Sequence, residues 1–213
     1  MPPPPADAAH SEMPAEQRRL LLQVARQAVE MGPLPDRQAG RIGVADSDQL
    51  PDVLRRIQAA FVTLNLRSDG SLRGCIGSLQ ATRPLIDEVA GNAHLAAYGD
   101  PRFPPVDEAE FPRLHIEISL ISPLAEFKAA AREGLIEWLA GQPLNERPGL
   151  VLQEQSLNRS ATFLPAVWVQ LPDAEAFVGE LLRKAGLPVD HWSDAMRVQT
   201  YTAEEFAEPT APG

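Results

Sequence analysis

Residues 72–79 read Leu-Arg-Gly-Cys-Ile-Gly-Ser-Leu, and this stretch holds the single cysteine of the chain, Cys75. The segment before it, residues 60–66, is rich in β-branched and apolar side chains and is predicted to be a strand. Between the two segments, the pair Asp69-Gly70 is typical of a tight turn. We therefore predict a β-hairpin in which residues 72–77 form the second arm.

The side chains of this second arm alternate between the two faces of the sheet if the strand is regular. Arg73 and Cys75 then share one face, with their side chains about 6–7 Å apart. A nearby guanidinium favours the thiolate form, which predicts a reactive or ligand-contacting Cys75. Gly74 and Gly77 leave room for a ligand or another backbone and indicate a bulge or a bend. The alternative is that Cys75 is a small buried hydrophobic residue and the glycines serve only packing.

A second predicted strand carries candidate acid–base residues. Residues 114–121 alternate strictly, so that the apolar side chains face a core and His115, Glu117 and Ser119 line the other face. One interpretation is a solvated sheet face. The other is a His/Glu pair that faces a cleft with Cys75, in which His115 or Glu117 accepts the thiol proton. Nothing in the sequence places these strands side by side, so both interpretations stay open.

A predicted helix and the loop that follows it supply candidate ligand contacts. Asn92 lies at the edge of the apolar stripe that begins at Leu85, where its side chain can reach the rim of a cleft. The loop at residues 98–105 contains three prolines, which hold Arg102 at a low entropic cost. This arrangement suits an anion clamp, and it suits a structural salt bridge equally well.

Composition limits the classes of function. The chain has 213 residues, a formal net charge of −10 and one cysteine. This charge argues against a nucleic-acid partner, and one cysteine excludes an internal disulfide and a multi-thiolate metal site. The histidines are too scattered to predict a metal site, and no dinucleotide-binding or phosphate-loop pattern is present, so any cofactor is unknown. The sequence shows no signal peptide and no stretch of transmembrane length, so we expect a cytoplasmic protein without a membrane partner.

The order of the predicted elements indicates one domain between two tails. Residues 1–13 are rich in proline and alanine and are predicted to be a disordered tail. Residues 14–206 alternate helices and strands without an internal repeat or a linker, which predicts a single domain. Residues 207–213 are predicted to be a flexible C-terminal tail.

Residues 72–79 resemble the signature of the AMMECR family, whose prokaryotic members are the A proteins of the AmmeMemoRadiSam system. Other segments resemble the family in the same order along the chain, and the likeness covers about residues 15 to 206. These segments are Asp69-Gly70, Asn92-Ala93, 100–105, 116–119, 162–165, 167–168 and 184–187.

The resemblance implies an α+β fold, with a compact, curved, mixed or antiparallel sheet, packed helices and a smaller lobe. It also implies two partners, a Memo-like protein (similar to extradiol dioxygenases) and a radical S-adenosylmethionine enzyme. It does not imply a defined activity, so whether the protein is an enzyme stays open.

Two hypotheses follow. In the first, the protein handles a small molecule or a modified group, and Cys75 is the nucleophile. Its proposed catalytic residues are Cys75, Arg73, Glu117 and His115, and its proposed ligand-binding residues are Gly74, Gly77, Asn92 and Arg102. In the second, the protein is a non-catalytic binding or adapter module in which Cys75 is structural.

Overall fold

The computed structural model describes residues 12–34, 50–128 and 131–209. Residues 1–11 of the predicted N-terminal tail and 210–213 of the predicted C-terminal tail lie outside this part of the chain, so the tails stay predictions over those residues. The described residues form two compact units. The first, which we call the Cys75 unit, contains the described residues up to Ile121 and the segment from Glu204 onward. The second unit holds Ser122–Ala203. The division into two compact units does not test whether residues 14–206 form a single domain, so the single domain stays a prediction.

Five α-helices and eight strands lie within the described residues, which confirms the α+β class. The α-helices are α1 (Ala15–Glu30), α2 (Asp52–Arg55), α3 (Leu85–Tyr98), α4 (Arg132–Ala140) and α5 (Ala174–Lys184). The strands are β1 (Ala60–Leu66), β2 (Leu72–Gly77), β3 (Leu114–Ile121), β4 (Ala125–Phe127), β5 (Gly149–Glu154), β6 (Arg159–Phe163), β7 (Met196–Tyr201) and β8 (Ala203–Ala207).

The sheet of the Cys75 unit has the strand order β2-β1-β3-β8. The predicted hairpin is confirmed, because β1 and β2 pair antiparallel. In the turn between them, Gly70 adopts a positive φ of 72°, a conformation that glycine reaches without steric cost. Since β1 also pairs antiparallel with β3, the hairpin and the second predicted strand share one sheet.

Helices α1 and α3 cover one face of this sheet. Strand β1 turns Ala60, Val62 and Leu64 toward the core, and none of these three residues is exposed to solvent. Alternate residues of β3 add Leu114, Ile116, Ile118 and Leu120 to the same core. Burial of these apolar side chains is the main stabilising contribution of this unit. The opposite sheet face carries the polar residues of both strands.

The segment after Thr202 is a strand, although its composition is polar. It forms β8, and Glu208 fastens the strand at its end. The Glu208 carboxylate accepts hydrogen bonds from Arg26 Nε at 2.9 Å and from Arg67 Nη2 at 2.7 Å. It also accepts the Ile116 backbone N–H at 3.2 Å. Charge pairs between distant segments therefore hold a strand that hydrophobic patterning does not reveal.

The second unit contains its own antiparallel sheet, with the order β4-β7-β5-β6, and its own core. In that core the rings of Trp168 and Phe177 stack with centroids 3.6 Å apart. At the end of β5, the buried Glu154 carboxylate accepts hydrogen bonds from the hydroxyls of Ser156 (2.6 Å) and Ser193 (2.5 Å) and contacts His191 Nε2 at 3.0 Å. These hydrogen bonds lower the pKa of Glu154 to about 2.

Candidate functional site

Cys75 lies in a row of polar residues that crosses three strands. Thr63 in β1 is paired with Cys75 in β2 on one side and with Glu117 in β3 on the other. Residues that are directly opposite in antiparallel strands project from the same sheet face. Asn65 and His115 form the next pair along the same face. We call these five residues the polar sheet face; they are half-buried.

The Cys75 thiol contacts the Thr63 hydroxyl. Thr63 Oγ1 donates a hydrogen bond to Cys75 Sγ at a distance of 3.4 Å. Glu117 lies two strands away from Cys75, which separates their Cα atoms by about 10 Å. His115 Nε2 donates instead to the backbone carbonyl of Glu208, at 2.7 Å. Direct transfer of the thiol proton to Glu117 or His115 is therefore not supported, although both share the face of Cys75. Their catalytic role stays a prediction.

A β-bulge changes the position of Arg73. Leu64 pairs with Gly74, and the next residue of β1, Asn65, pairs with Leu72, so Arg73 is the extra residue of β2. The predicted bulge is confirmed, and the regular alternation that would place Arg73 beside Cys75 is wrong. A bulge shifts the alternation by one residue, which puts Leu72, not Arg73, on the face of Asn65.

The Arg73 guanidinium anchors the loop that follows α3. Its Nε and Nη2 donate to the two carboxylate oxygens of Glu110, at 2.8 and 3.0 Å, and Nη1 donates to the Pro104 carbonyl at 3.0 Å. The hydrogen bond from Arg73 holds the pKa of Glu110 below its usual value. Arg73 is buried, and these contacts occupy it. We therefore revise its predicted catalytic role to that of a structural anchor.

The space beside both glycines of the signature is occupied by other residues of the protein. A Cβ atom on Gly74 would lie 2.1 Å from the backbone carbonyl oxygen of Ala96 in α3. A Cβ atom on Gly77 would lie 2.3 Å from the ring of Phe61 and 2.6 Å from its Cα atom. The space that the sequence suggested for a ligand is taken by a helix backbone in one case and by a neighbouring strand in the other. Gly74 and Gly77 therefore have packing roles.

Asn92 also has an internal partner. Its side chain is buried, and its Nδ2 atom donates to the Ala60 carbonyl at 3.0 Å and to Glu88 Oε1 at 3.3 Å. These bonds join α3 to the start of β1, on the core side of the sheet. The predicted position at the rim of a cleft is corrected accordingly, since Asn92 does not lie on the polar sheet face.

Asp100 and Arg102 flank Cys75, and sequence analysis did not single out Asp100. The Asp100 carboxylate accepts the Cys75 backbone N–H at 2.9 Å, and Arg102 Nη2 donates to the Cys75 carbonyl at 3.3 Å. Arg102 and Asp100 also form an ion pair at 2.6 Å. The Arg102 side chain is 54% exposed and that of Asp100 is 2% exposed. The structure shows the salt bridge that the sequence allowed for Arg102, and the anion clamp stays a prediction.

The ion pair with Asp100 holds Arg102 beside the Cys75 backbone. The hydrogen bond from Arg102 holds the pKa of Asp100 well below its usual range. The pKa of Arg102 is raised, first by its hydrogen bond to Asp100 and further by the charges of Asp100 and Cys75. Arg102 is therefore a cation that contacts Cys75, through the hydrogen bond from its Nη2 atom to the Cys75 backbone carbonyl. A sequence signal for this contact exists only in hindsight: the loop that holds Asp100 and Arg102 is stiffened by three prolines.

In the described part of the chain, no group of three or more His, Cys, Asp or Glu side chains is placed to hold a metal ion. None of the helices described there is long and apolar enough to cross a membrane.

Comparison with known proteins identifies the family. Residues 22–206 match the AMMECR1 family. A protein of Methanothermobacter thermautotrophicus is 34% identical over 93% of this chain and 98% of its own length, and one of Thermococcus onnurineus is 35% identical over 76% and 78%. The crystal structure of an uncharacterized protein from Pyrococcus horikoshii superposes with a TM-score of 0.75 at 30% identity, covering 92% of this chain and 93% of that one. The chain therefore belongs to the AMMECR1 family.

Proposed function

We propose that the polar sheet face binds a small molecule or a modified group and that Cys75 is the nucleophile. The observation that carries this proposal is the hydrogen bond from the Thr63 hydroxyl to Cys75 Sγ on a half-buried face. A hydroxyl that donates to sulfur favours the thiolate, which is the reactive form of cysteine.

Arg102 supports the same chemistry. Its guanidinium carries a permanent positive charge, interacts with Cys75 and exposes about half of its side chain. A cation in this position provides a contact for an anionic group on the bound molecule. Such a thiol needs a reducing compartment, so the proposal includes a cytoplasmic location.

Glu117 retains a place in this proposal as a more distant proton acceptor. It lies on the far side of Thr63 from Cys75, on the same face. In a proton relay, the Cys75 thiol gives its proton to the Thr63 oxygen while Thr63 passes its own hydroxyl proton to the Glu117 carboxylate, which leaves the Thr63 hydroxyl donating to the thiolate. A proton would therefore travel between Cys75 and Glu117 through Thr63 or through water rather than by direct contact.

Replacement of the Thr63 hydroxyl tests the proposal. Thr63→Val removes a hydrogen bond worth about 1 kcal/mol to the thiolate. Without this bond, less of the thiol is present as thiolate at pH 7, which slows alkylation. The more basic thiolate is a better nucleophile, which offsets part of this loss. We therefore expect alkylation of Cys75 by iodoacetamide at pH 7 to slow by about twofold to threefold. Thr63→Ser keeps the donor and serves as the matched control. Equal rates in the wild type and both variants would show that the hydroxyl does not activate the thiol.

A second candidate function is a binding or adapter module. The observation that favours it is that the contacts of Arg73, Gly74 and Asn92 are all internal, so that these residues serve packing. We propose as partners a Memo-like protein and a radical S-adenosylmethionine enzyme, on the basis of the family resemblance. Pull-down of both proteins by the wild type and equally by Cys75→Ala would support the adapter. Loss of binding in Cys75→Ala, or no binding to the wild type, would count against it.

A further inference from the structure

We propose that Asp100 is the positioning residue of the Cys75 site, because one carboxylate holds the Cys75 backbone and the Arg102 guanidinium together. This inference rests on the proposed function of Cys75. It identifies Asp100 as the group that fixes the geometry of the site. It also specifies that the molecule expected to react at Cys75 carries a negative charge.

Four N–H groups converge on the Asp100 side chain. Oδ2 accepts the Cys75 backbone N–H at 2.9 Å and Arg102 Nη2 at 2.6 Å. Oδ1 accepts Arg102 Nε at 2.9 Å and the Arg102 backbone N–H at 3.1 Å. Two of these bonds form the parallel fork that aligns a guanidinium with a carboxylate. The orientation of Arg102 is therefore set by Asp100.

The same pair fixes Cys75 at the open edge of the sheet. Among the described strands, β2 is the outermost on its side, so its backbone groups that point away from β1 pair with none of these strands. At Cys75, Asp100 accepts the N–H and Arg102 donates to the carbonyl, at 3.3 Å. Side chains thus replace a neighbouring strand at this residue, which reduces the freedom of the backbone that carries the thiol.

This arrangement favours an anionic partner. Asp100 is almost fully buried, whereas just over half of the Arg102 side chain is exposed. The buried carboxylate holds one edge of the guanidinium, and the exposed side chain lies at a fixed place beside the Cys75 backbone carbonyl. A cation that is already oriented loses little conformational freedom when it binds a carboxylate or a phosphate. The chemical class expected to react at Cys75 is therefore a molecule that carries such a group.

A neutral side chain cannot replace Asp100 in this role. An asparagine at this position retains one oxygen, which can still accept the Cys75 N–H. It has no negative charge and presents an amide N–H₂ group where the second carboxylate oxygen stood. Asp100→Asn therefore preserves the shape of the residue but removes the fork that orients Arg102.

The test is the ratio of the rates at which iodoacetate (anionic) and iodoacetamide (neutral) alkylate Cys75. In the folded wild type, we expect this ratio to exceed that of free cysteine. We expect it to fall by about fivefold in Arg102→Gln and in Asp100→Asn, because an exposed and oriented cation contributes on the order of 1 kcal/mol. Arg55→Gln removes the same charge from an exposed arginine that pairs with Asp52, and it should leave the ratio unchanged.

Arg102→Lys separates positioning from charge, and it also provides the test if Asp100→Asn does not fold. Lysine keeps the positive charge but cannot form the fork, so a reduced ratio supports positioning by Asp100. An unchanged ratio in Arg102→Lys, or in folded Asp100→Asn, would overturn this inference and leave the proposed function standing. A folded wild type that neither reagent alkylates would overturn the proposed function together with the inference.

Discussion

Gly74→Ala is expected to lower the free energy of unfolding by about 3 kcal/mol, the upper part of the range for overpacking a rigid interior. The added methyl group would lie 2.1 Å from the carbonyl oxygen of Ala96 and 3.1 Å from its carbonyl carbon. These are backbone atoms of α3, so no side-chain rotation can relieve the overlap. Helix α3 would have to move away from β2. The loss can be measured by urea denaturation of the wild type and the variant.

Gly134→Ala is the matched control for this substitution. Gly134 lies within α4, and a Cβ atom on it would meet nothing within 4 Å. Alanine is the better helix former, so the control is expected to raise stability by up to about 1 kcal/mol. If Gly74→Ala were tolerated as well as Gly134→Ala, the space beside Gly74 would be open, and a ligand-binding role for this glycine would return.

The packing role of Gly74 changes the interpretation of the signature segment. As a sequence, two glycines around a cysteine and an arginine suggest a cleared ligand site. In the structure, Gly74 allows the backbone of α3 to pack closely against β2, and Arg73 anchors a loop through Glu110. Leu72 and Cys75 of this segment have side chains on the polar sheet face, and Cys75 is the one with a reactive group. The segment is therefore mainly an element of the fold that presents one thiol.

Local patterns in the sequence predicted the framework of the Cys75 unit well. The alternation in residues 114–121, the β-branched segment at 60–66 and the Asp-Gly turn each report on backbone geometry within a few residues. The strands and the hairpin derived from them are confirmed. The sequence also placed Cys75, His115 and Glu117 on polar strand faces, although it could not tell that β1 lies between their strands.

Contacts between distant segments were beyond these local patterns. The bulge at Arg73 depends on how β2 pairs with β1, and a shift of one residue changes which side chain lies beside the thiol. Asp100 reaches Cys75 only after α3 returns the chain to the sheet edge, and β8 is held by charge pairs with Arg26 and Arg67. Hydrophobic periodicity carries no information about such polar contacts, which is why Asp100 was missed.

The measurement that tests the proposed nucleophile most directly is the rate of Cys75 alkylation by iodoacetamide in the folded protein and in urea. The chain has one cysteine, so the signal has a single source. If Cys75 is an accessible nucleophile, we expect the folded-state rate at pH 7 to be within about tenfold of the unfolded-state rate, or to exceed it. Protection by a factor of about 1,000 or more would mean that labelling requires unfolding of the chain. That result would contradict a nucleophilic Cys75 and would leave the adapter as the function to test.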